Sequence, residues 1–510
     1  MSQLSGFNSL PRELRDQIYE DYFAVEGGYV HNHKTNRLIT AKGQNIDLNI
    51  RLVSRQIAAE TRSLALEVNT ITFSTVFDED LRERAGHFNT LLEMIAKLKA
   101  VYLLRCSSRS GFVDKEVRDY AEEHFPEFLP VVEALQTSYV ANSNSNVWKE
   151  TPSRSRQFIT STLNTVAKRP CFKDTIERHH YWMRPGSEPG PDPVAVISHE
   201  HSPWTLPSSE TISAMRETMS PYPVELSRRR QGSYWTGEKY RFSAATMAIA
   251  FLGSISTETR LSIRKILLLE DHTSVAWPEC HGQGLVTYCQ ENLKLRIERR
   301  VDLWRACLPS ASTPLHAITG RALAYLREYK YDRIAASIVS RGEMGHGGVA
   351  DWIMEALALE SLGMPPKSFT LIIDGAAVPE NSTQIFNVLQ RDAAWQKAYQ
   401  RCVIDAIDCQ NAPIWLASRE NNAYIMRGFS EALQAITDDK SSVKCNFSPG
   451  LVQDVDQVVA QGRSWNDAEW LVNWREMGEL QADIHTSAPL PSWLDIRRED
   501  LLDEEGVERV

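Results

Sequence analysis

The chain has 510 residues, of which 42% are hydrophobic and 24% charged, and its formal net charge is −10. This is an ordinary globular composition, and a chain of this length predicts about three domains. The acidic balance argues against a nucleic-acid-binding protein. No stretch reaches the roughly 20 apolar residues that a membrane span requires, which argues against a membrane protein.

The cysteines predict a reducing compartment. There are eight, they are scattered, and no Cys-x-x-Cys pair occurs. The first thirty residues contain acidic side chains and no continuous apolar core, unlike a secretory signal. We therefore expect an intracellular protein, in the cytoplasm, the nucleus or both.

The first clear element is an amphipathic helix that opens near residue 10. Pro11 suits the first helical turn, and Glu13 favours the positive end of the helix dipole. Gly27 and Gly28 end the helix. The apolar residues recur at helical spacing and form one stripe, which consists of Leu10, Leu14, Ile18 and Tyr22.

A hairpin-like segment and a second helix follow. Residues 29–47 show strand character around 37–40, and residues 48–66 have helical periodicity. Residues 68–73 then alternate as a strand. In the second helix we expect a buried face and an outward face. The buried face consists of Ile50, Val53, Ile57 and Leu64, and the outward face of Arg51, Arg55 and Glu60.

Three later units place a strand after a helix. They lie at 88–104, 242–269 and 352–373, with the strands predicted at 101–104, 266–269 and 369–373. The alternation favours a helix-rich, mixed α/β (or α+β) body. The spacing is unequal and long, so we interpret the units as parts of an irregular domain and not as a repeat array.

Composition divides the chain into five segments. Residues 138–240 are rich in Ser, Asn and Pro and are predicted to be a disordered linker or long loops. The segments are a helical module (1–80), a helix–strand unit (81–137), the linker (138–240), a mixed α/β body (241–440) and a C-terminal helical segment with an acidic tail (441–510).

The N-terminal module resembles an F-box, and most closely the F-box-like modules of filamentous-fungal proteins. The resemblance covers residues 7–75 and rests on Leu10-Pro11-x-Glu13-Leu14 and on the later phrase Leu52-Val53-Ser54-Arg55. F-box modules dock on the Skp adaptor of cullin ubiquitin ligases. The resemblance implies that partner-binding role for Leu10, Pro11, Leu14 and Ile18.

A second resemblance covers most of the chain. The block 241–304, the segment 369–375 and the phrase Ala394-Trp395-Gln396 look like those of a family of filamentous-fungal proteins that has no assigned activity. This resemblance implies a relationship but no reaction, ligand or cofactor.

One polar cluster is the best candidate for chemistry. It consists of Glu270, Asp271, His272, Glu279, Cys280, His281 and Cys289. Its Cys and His residues could bind zinc, and Cys289 with His281 could act as nucleophile and base. The spacing matches no known finger, so we favour polar residues that hydrogen-bond the fold together. We therefore assign no catalytic, cofactor-binding or metal-binding residue.

These observations favour a non-enzymatic adaptor, and the resemblance implies an F-box-type substrate receptor of a cullin ubiquitin ligase. Its N-terminal module would bind a Skp-type adaptor, and the α/β body would bind an unknown protein client. The alternative is an intracellular scaffold or regulatory protein in which the apolar stripe only packs the module onto the chain itself. A thiol or zinc enzyme at His281 and Cys289 is a third interpretation.

Overall fold

A parallel β-sheet organises the chain. The computed structural model describes residues 7–107, 111–136, 148–178, 190–220, 238–308, 348–407, 423–480 and 485–500. The described strands form one seven-stranded sheet. They are β1 (Tyr29–Asn32), β2 (Arg37–Thr40), β3 (Thr70–Ser74), β4 (Lys265–Glu270), β5 (Arg296–Asp302), β6 (Phe369–Asp374) and β7 (Val443–Cys445).

From β3 to β7 the strand order follows the chain. The sheet runs β2-β1-β3-β4-β5-β6-β7, with β1 and β2 paired as an antiparallel hairpin and every other neighbour parallel. Right-handed crossovers between successive parallel neighbours all pass over the same face of a sheet. Connecting helices therefore cover one face, and the crossovers leave the other face free.

The described α-helices lie mostly in these crossovers. In chain order they are α1 (Arg12–Phe23), α2 (Arg55–Glu60), α3 (Leu64–Val68), α4 (Glu79–Ser107), α5 (Lys115–His124), α6 (Leu129–Gln136), α7 (Pro152–Val166), α8 (Phe172–Arg178), α9 (Pro193–Ser198), α10 (Ser209–Thr218), α11 (Ala244–Ser254), α12 (Thr257–Ser262), α13 (Val286–Glu291), α14 (Val349–Ser361), α15 (Pro379–Cys402), α16 (Phe429–Thr437), α17 (Val455–Gly462), α18 (Asp467–Leu480) and α19 (Trp493–Arg498).

The two faces of the sheet differ in burial. Alternate residues such as Ile266, Leu268 and Ile297 point toward the helices and are buried. The side chains of Glu298 and Arg300 lie on the opposite face and are 40% and 43% exposed. We call that side the open sheet face. Its central residues are Thr72, Leu267, Leu269, Glu298, Arg300, Thr370 and Ile372.

The prediction of a mixed α/β fold is confirmed. The hairpin strand at 37–40 and the strands near 68–73, 266–269 and 369–373 are present. The body is more regular than expected, because its strands are added to the sheet in chain order although the crossovers differ in length. The prediction of a strand at 101–104 is wrong: those residues lie within α4, where Tyr102 and Leu103 are fully buried.

The predicted linker at 138–240 is wrong for its described residues, 148–178, 190–220 and 238–240. They contain four helices, α7 to α10. In α7, Phe158 stacks on Phe128 with ring centroids 4.3 Å apart, and both rings are buried. Pro152 and Pro193 occupy first helical turns, where proline is compatible with a helix. The remaining linker residues lie outside the described part of the chain.

The C-terminal segment completes the sheet and packs at its edge. It contributes β7, and Trp493 of α19 packs edge-to-face on Trp304 with ring centroids 6.5 Å apart. Asp500 forms a buried ion pair with Arg241. Residues 501–510 of the predicted acidic tail lie outside the described residues.

A buried ion pair joins the middle of the sheet to a helix. Glu270 accepts from Arg299 Nε at 2.9 Å and Nη2 at 2.7 Å, and each side chain is only 1% exposed. The same carboxylate accepts from the backbone N–H groups of Ala244 and Ala245 in the first turn of α11. Both charges are therefore fully matched inside the core.

We expect Glu270→Ala to lower the free energy of unfolding by about 3–5 kcal/mol, because it leaves Arg299 buried without its carboxylate. Glu298→Ala removes the carboxylate of an exposed ion pair and should cost less than about 1 kcal/mol. Urea denaturation followed by far-UV circular dichroism measures both. Equal losses from the two substitutions would contradict the role assigned to the buried pair.

Candidate functional site

The inward side of α1 forms the core of the N-terminal module. Tyr19 and Phe23 are buried and pack with Ile57 of α2 and Ala65 of α3. The N-terminal module therefore has a small apolar core of its own beside the edge of the sheet.

A charged group locks this inward side. Arg15 donates to Glu60 through Nη2 at 2.6 Å and through Nε at 3.1 Å, and the Tyr19 hydroxyl donates to Glu60 at 2.8 Å. Hydrogen bonding from the Arg15 guanidinium lowers the pKa of Glu60 to about 2. Arg15 also donates to the Leu10 carbonyl at 2.6 Å, which fixes the start of α1.

The opposite side of α1 faces solvent. Leu14 is 45% exposed, Ile18 is 42% exposed and Tyr22 is 40% exposed. Pro11 is also exposed, and Leu10 is half-buried. The apolar stripe read from the sequence is thus the outward side of α1, whereas Arg15, Tyr19 and Phe23 hold the helix in place.

A second apolar patch adjoins this stripe. Leu52 is 84% exposed and Val53 is 70% exposed. The Tyr22 hydroxyl donates to Asp47 at 2.9 Å, so the segment that carries this patch begins beside the end of α1. We call the whole area the N-terminal apolar surface, which consists of Leu14, Ile18, Tyr22, Leu48, Leu52 and Val53.

Two orientations predicted for the second helix are wrong. Val53 was expected to be buried and is exposed, and Glu60 was expected to face outward and binds Arg15. The segment is not one helix. It consists of a 3-10 turn at Asn49–Leu52, then α2 capped by Ser54, then α3. Each break changes the helical phase. Residues after a break therefore face a different direction from the one that a single continuous helix would give them.

Most of the polar cluster around His281 belongs to the core, whereas Asp271 is exposed and His272 is half-buried. His281 faces the Ala276 carbonyl through Nε2 at 2.8 Å and the Ser243 hydroxyl through Nδ1 at 2.7 Å. A carbonyl only accepts, so Nε2 carries the proton and Nδ1 accepts from a hydroxyl, that of Ser243 or that of Thr246 at 3.2 Å. Burial lowers the pKa of His281 to about 3, so this imidazole is neutral at physiological pH.

The cysteines of this cluster are poor nucleophiles. Burial raises the pKa of Cys289 to about 12, and the Cys280 thiol donates to the Trp277 carbonyl. No hydrogen bond joins His281 to Cys289. In the described ranges, no group of three or more His, Cys, Asp or Glu side chains is placed to hold a metal ion. The geometry favours the hydrogen-bonding interpretation over a thiol or zinc centre.

The open sheet face was not identified from the sequence. In register across the sheet, Thr72, Leu267, Glu298 and Thr370 form one row, and Ser74, Leu269, Arg300, Ile372 and Lys444 form the next. Alternation along each strand separates two faces, but only the strand order shows which face the helices leave uncovered. This face presents aliphatic, hydroxyl and charged side chains together.

Comparison with known proteins adds no relative. No protein-family model, no curated protein and no solved structure matches the chain. Among the described helices, none combines the length and the apolar character needed to span a membrane.

The Arg15–Glu60 pair predicts a pH dependence for the N-terminal module. The pKa of Glu60 is lower in the folded chain, so its contribution is complete above pH 4.5 and is lost as the pH falls toward 2. Hydrogen exchange of α1 amides, corrected for intrinsic rates, should show protection that declines between pH 5 and 2.5.

The matched variant for this measurement is Glu60→Gln, which removes the titrating group. Its α1 amides should exchange faster than wild type at pH 6, with little further change on acidification. Arg62→Ala, which removes an exposed ion pair with Glu258, should behave as wild type. An identical pH response in Glu60→Gln and wild type would contradict the assignment.

Proposed function

We propose that this protein is a non-enzymatic adaptor of the F-box type, in which the N-terminal module docks a Skp-type ligase adaptor and the α/β body binds a protein client. Leu10, Pro11, Leu14 and Ile18 are the proposed adaptor contacts. The observation that carries the proposal is the outward orientation of Leu14 and Ile18, each more than 40% exposed.

The energetics of the module support a docking role. The inward side of α1 is held by Tyr19, Phe23 and the Arg15–Glu60 pair, so Leu14 and Ile18 are not needed to hold α1 in place. Burying the exposed half of each side chain contributes about 1 kcal/mol. Tyr22, Leu52 and Val53 enlarge the same surface, and contiguous exposed apolar surface is typical of protein-binding sites.

The client surface proposed here is the open sheet face. Its Leu267, Leu269 and Ile372 side chains offer apolar contact, and Glu298 and Arg300 offer charges that specify orientation. This face and the N-terminal apolar surface are built from different elements. The two partners can therefore be tested separately.

We expect Leu14→Asp to weaken binding of the purified Skp-type adaptor to the full-length chain by about 100-fold, because it removes apolar contact and buries a charge. Biolayer interferometry measures the affinity. Glu20→Ala is the matched control, since Glu20 is an exposed α1 residue that points away from the stripe. It should bind within about twofold of wild type.

Two results would contradict the adaptor proposal. One is the absence of measurable binding by wild type, and the other is equal loss in Leu14→Asp and Glu20→Ala. Either result, together with unchanged melting temperatures, favours the scaffold alternative, in which the N-terminal module has a structural role only.

The client surface makes an independent prediction. Arg300→Glu should remove client proteins from affinity purifications while retaining the Skp-type adaptor, and Leu14→Asp should do the reverse. Quantitative mass spectrometry compares these variants with Arg118→Glu, which changes charge equally on an exposed arginine outside the sheet. Loss of the same proteins in all three variants would contradict two separate surfaces.

A further inference from the structure

A large cavity lies between the helical layer and the turn that follows β4. Its volume is about 1150 Å³, at the upper end of small-molecule sites. Its walls come from α4, α7, the segment after α9, the 276–285 turn and α14. No residue of this cavity belongs to the N-terminal apolar surface or to the open sheet face.

One wall of the cavity carries two cations without carboxylate partners. Lys99 is 6% exposed, and its ammonium donates to the His199 carbonyl at 2.9 Å and to Thr160 Oγ1 at 3.5 Å. Arg156 lies one helical turn before Thr160 on α7, so both cations belong to one strip. Within the described residues neither forms an ion pair.

Arg156 is positioned by an aromatic ring. Its guanidinium lies 4.1 Å from the centroid of Trp277, and it donates one weak hydrogen bond, to Cys280 Sγ at 3.6 Å. Burial raises the pKa of Glu279 and Glu355, and the positive charge of Arg156 lies close enough to oppose this rise. Neither carboxyl accepts a hydrogen bond from Arg156. Several guanidinium N–H donors therefore remain for a ligand.

The acidic residues of the cavity do not neutralise this strip. Glu127 accepts from Arg154 at 2.6 Å and Glu150 accepts from Arg427 at 3.0 Å, while Glu200 is exposed at the rim. Among the described residues, no carboxylate therefore hydrogen-bonds to Lys99 or Arg156, although Glu200 lies within electrostatic reach of Lys99, and Glu279 and Glu355 within that of Arg156.

A third polar group lies beside this strip. His199 lines the cavity beside Lys99, and its Nε2 atom is buried and makes no hydrogen bond to any described residue. Unpaired buried polar atoms are uncommon and call for a bound partner or a water. Burial and the neighbouring His201 and Lys99 lower the pKa of His199, so this side chain adds no full positive charge beside Lys99.

The backbone beneath the strip is strained. Ala276 and Trp277 both have positive φ, 65° and 60°, although neither is glycine. Asn89 accepts from the Ala276 N–H at 2.8 Å, and His281 donates to the Ala276 carbonyl. Strained residues held by surrounding structure are concentrated at ligand sites.

Part of the lining is apolar. Trp204 lies against Gly284, where a Cβ atom would come within 2.3 Å of the indole, so only glycine admits the ring. Ile95, Ile159 and Leu357 complete this lining. The cavity thus combines a cationic strip with an apolar wall.

We propose that this cavity binds an amphiphilic anion, a carboxylate or phosphate monoester with a flat apolar body. The anionic head contacts Arg156 and Lys99, and the apolar body lies against Trp204. This ligand site is independent of the proposed adaptor role.

The test uses the full-length protein and three probes of one shape: 2-naphthyl phosphate, 2-naphthoate and neutral 2-naphthol. Saturation-transfer-difference NMR titrations should give at least about tenfold tighter binding for one or both anions than for naphthol. The preferred anion distinguishes phosphate from carboxylate. Arg156→Gln should abolish the preference, and Arg118→Gln, an equal charge change outside the cavity, should retain it.

Two outcomes overturn the proposal: naphthol binding as tightly as both anions, or neither anion binding to wild type. Lys99→Met is the second variant, and it must also reduce the preference for the anions over naphthol. This variant keeps the test decisive if Arg156→Gln fails to fold. Trp204→Ala must weaken all three probes together. Unchanged anion binding in both Arg156→Gln and Lys99→Met overturns the assignment as well.

Discussion

The buried Glu270–Arg299 pair is the interaction on which the architecture depends. Glu270 ends β4, Arg299 lies in β5, and the carboxylate also accepts the first N–H groups of α11. Arg299 donates in addition to the Pro278 carbonyl at 2.8 Å and lies over the Trp352 ring. Desolvating two charges is tolerated only when every donor and acceptor is matched. The pair therefore fixes the positions of two strands, one helix and the turn after β4 relative to one another.

The order in which strands join the sheet determines where function can be located. Because each parallel strand is added next to the preceding one, the helices accumulate on one face and bury Ile266, Ile297 and Leu371. The opposite face keeps charged residues such as Arg300 in solvent. A sheet wound in both directions would bury both faces. The strand order thus places the open sheet face, where a macromolecule could bind, on one side of the sheet. The helical layer that encloses the cavity lies on the other side.

Local elements could be predicted from the sequence where a single hydrophobic period, alternating or helical, dominates a segment. Alternation identified β3, and helical spacing identified α1 with its stripe of Leu14 and Ile18. The prediction of a strand at 101–104 was wrong, because a continuous apolar run fits a buried helix as well as a strand. The predicted burial of Val53 was also wrong, because Ser54 caps a new helix and the helical phase changes there. The N-terminal module could be located from sequence, but only tertiary contacts identify which side of α1 faces inward.

The linker prediction failed for a different reason. Composition counts prolines and serines without regard to position, whereas Pro152 and Pro193 start helices and Ser208 caps one. A proline in the first turn and a hydroxyl at the cap favour helix formation. Segments that carry these residues at helix ends can then bury aromatic side chains such as Phe158, and composition alone cannot distinguish this arrangement from a loop.

The turn between β4 and α13 shows most clearly why the cavity was not predictable. Its left-handed residues, Ala276 and Trp277, have no glycine signature, and their conformation is held by Asn89 of α4, His281 and Arg299 of β5. Two partners from other elements, Asn89 and Arg299, thus act together with the nearby His281 to place Trp277 under Arg156. In the sequence, His281 was a candidate zinc ligand or catalytic base. Its contacts give it a positioning role in this turn. The same core that orders the sheet therefore sets the geometry of the cationic strip, so damage to the Glu270–Arg299 pair reaches the cavity through the Pro278 carbonyl.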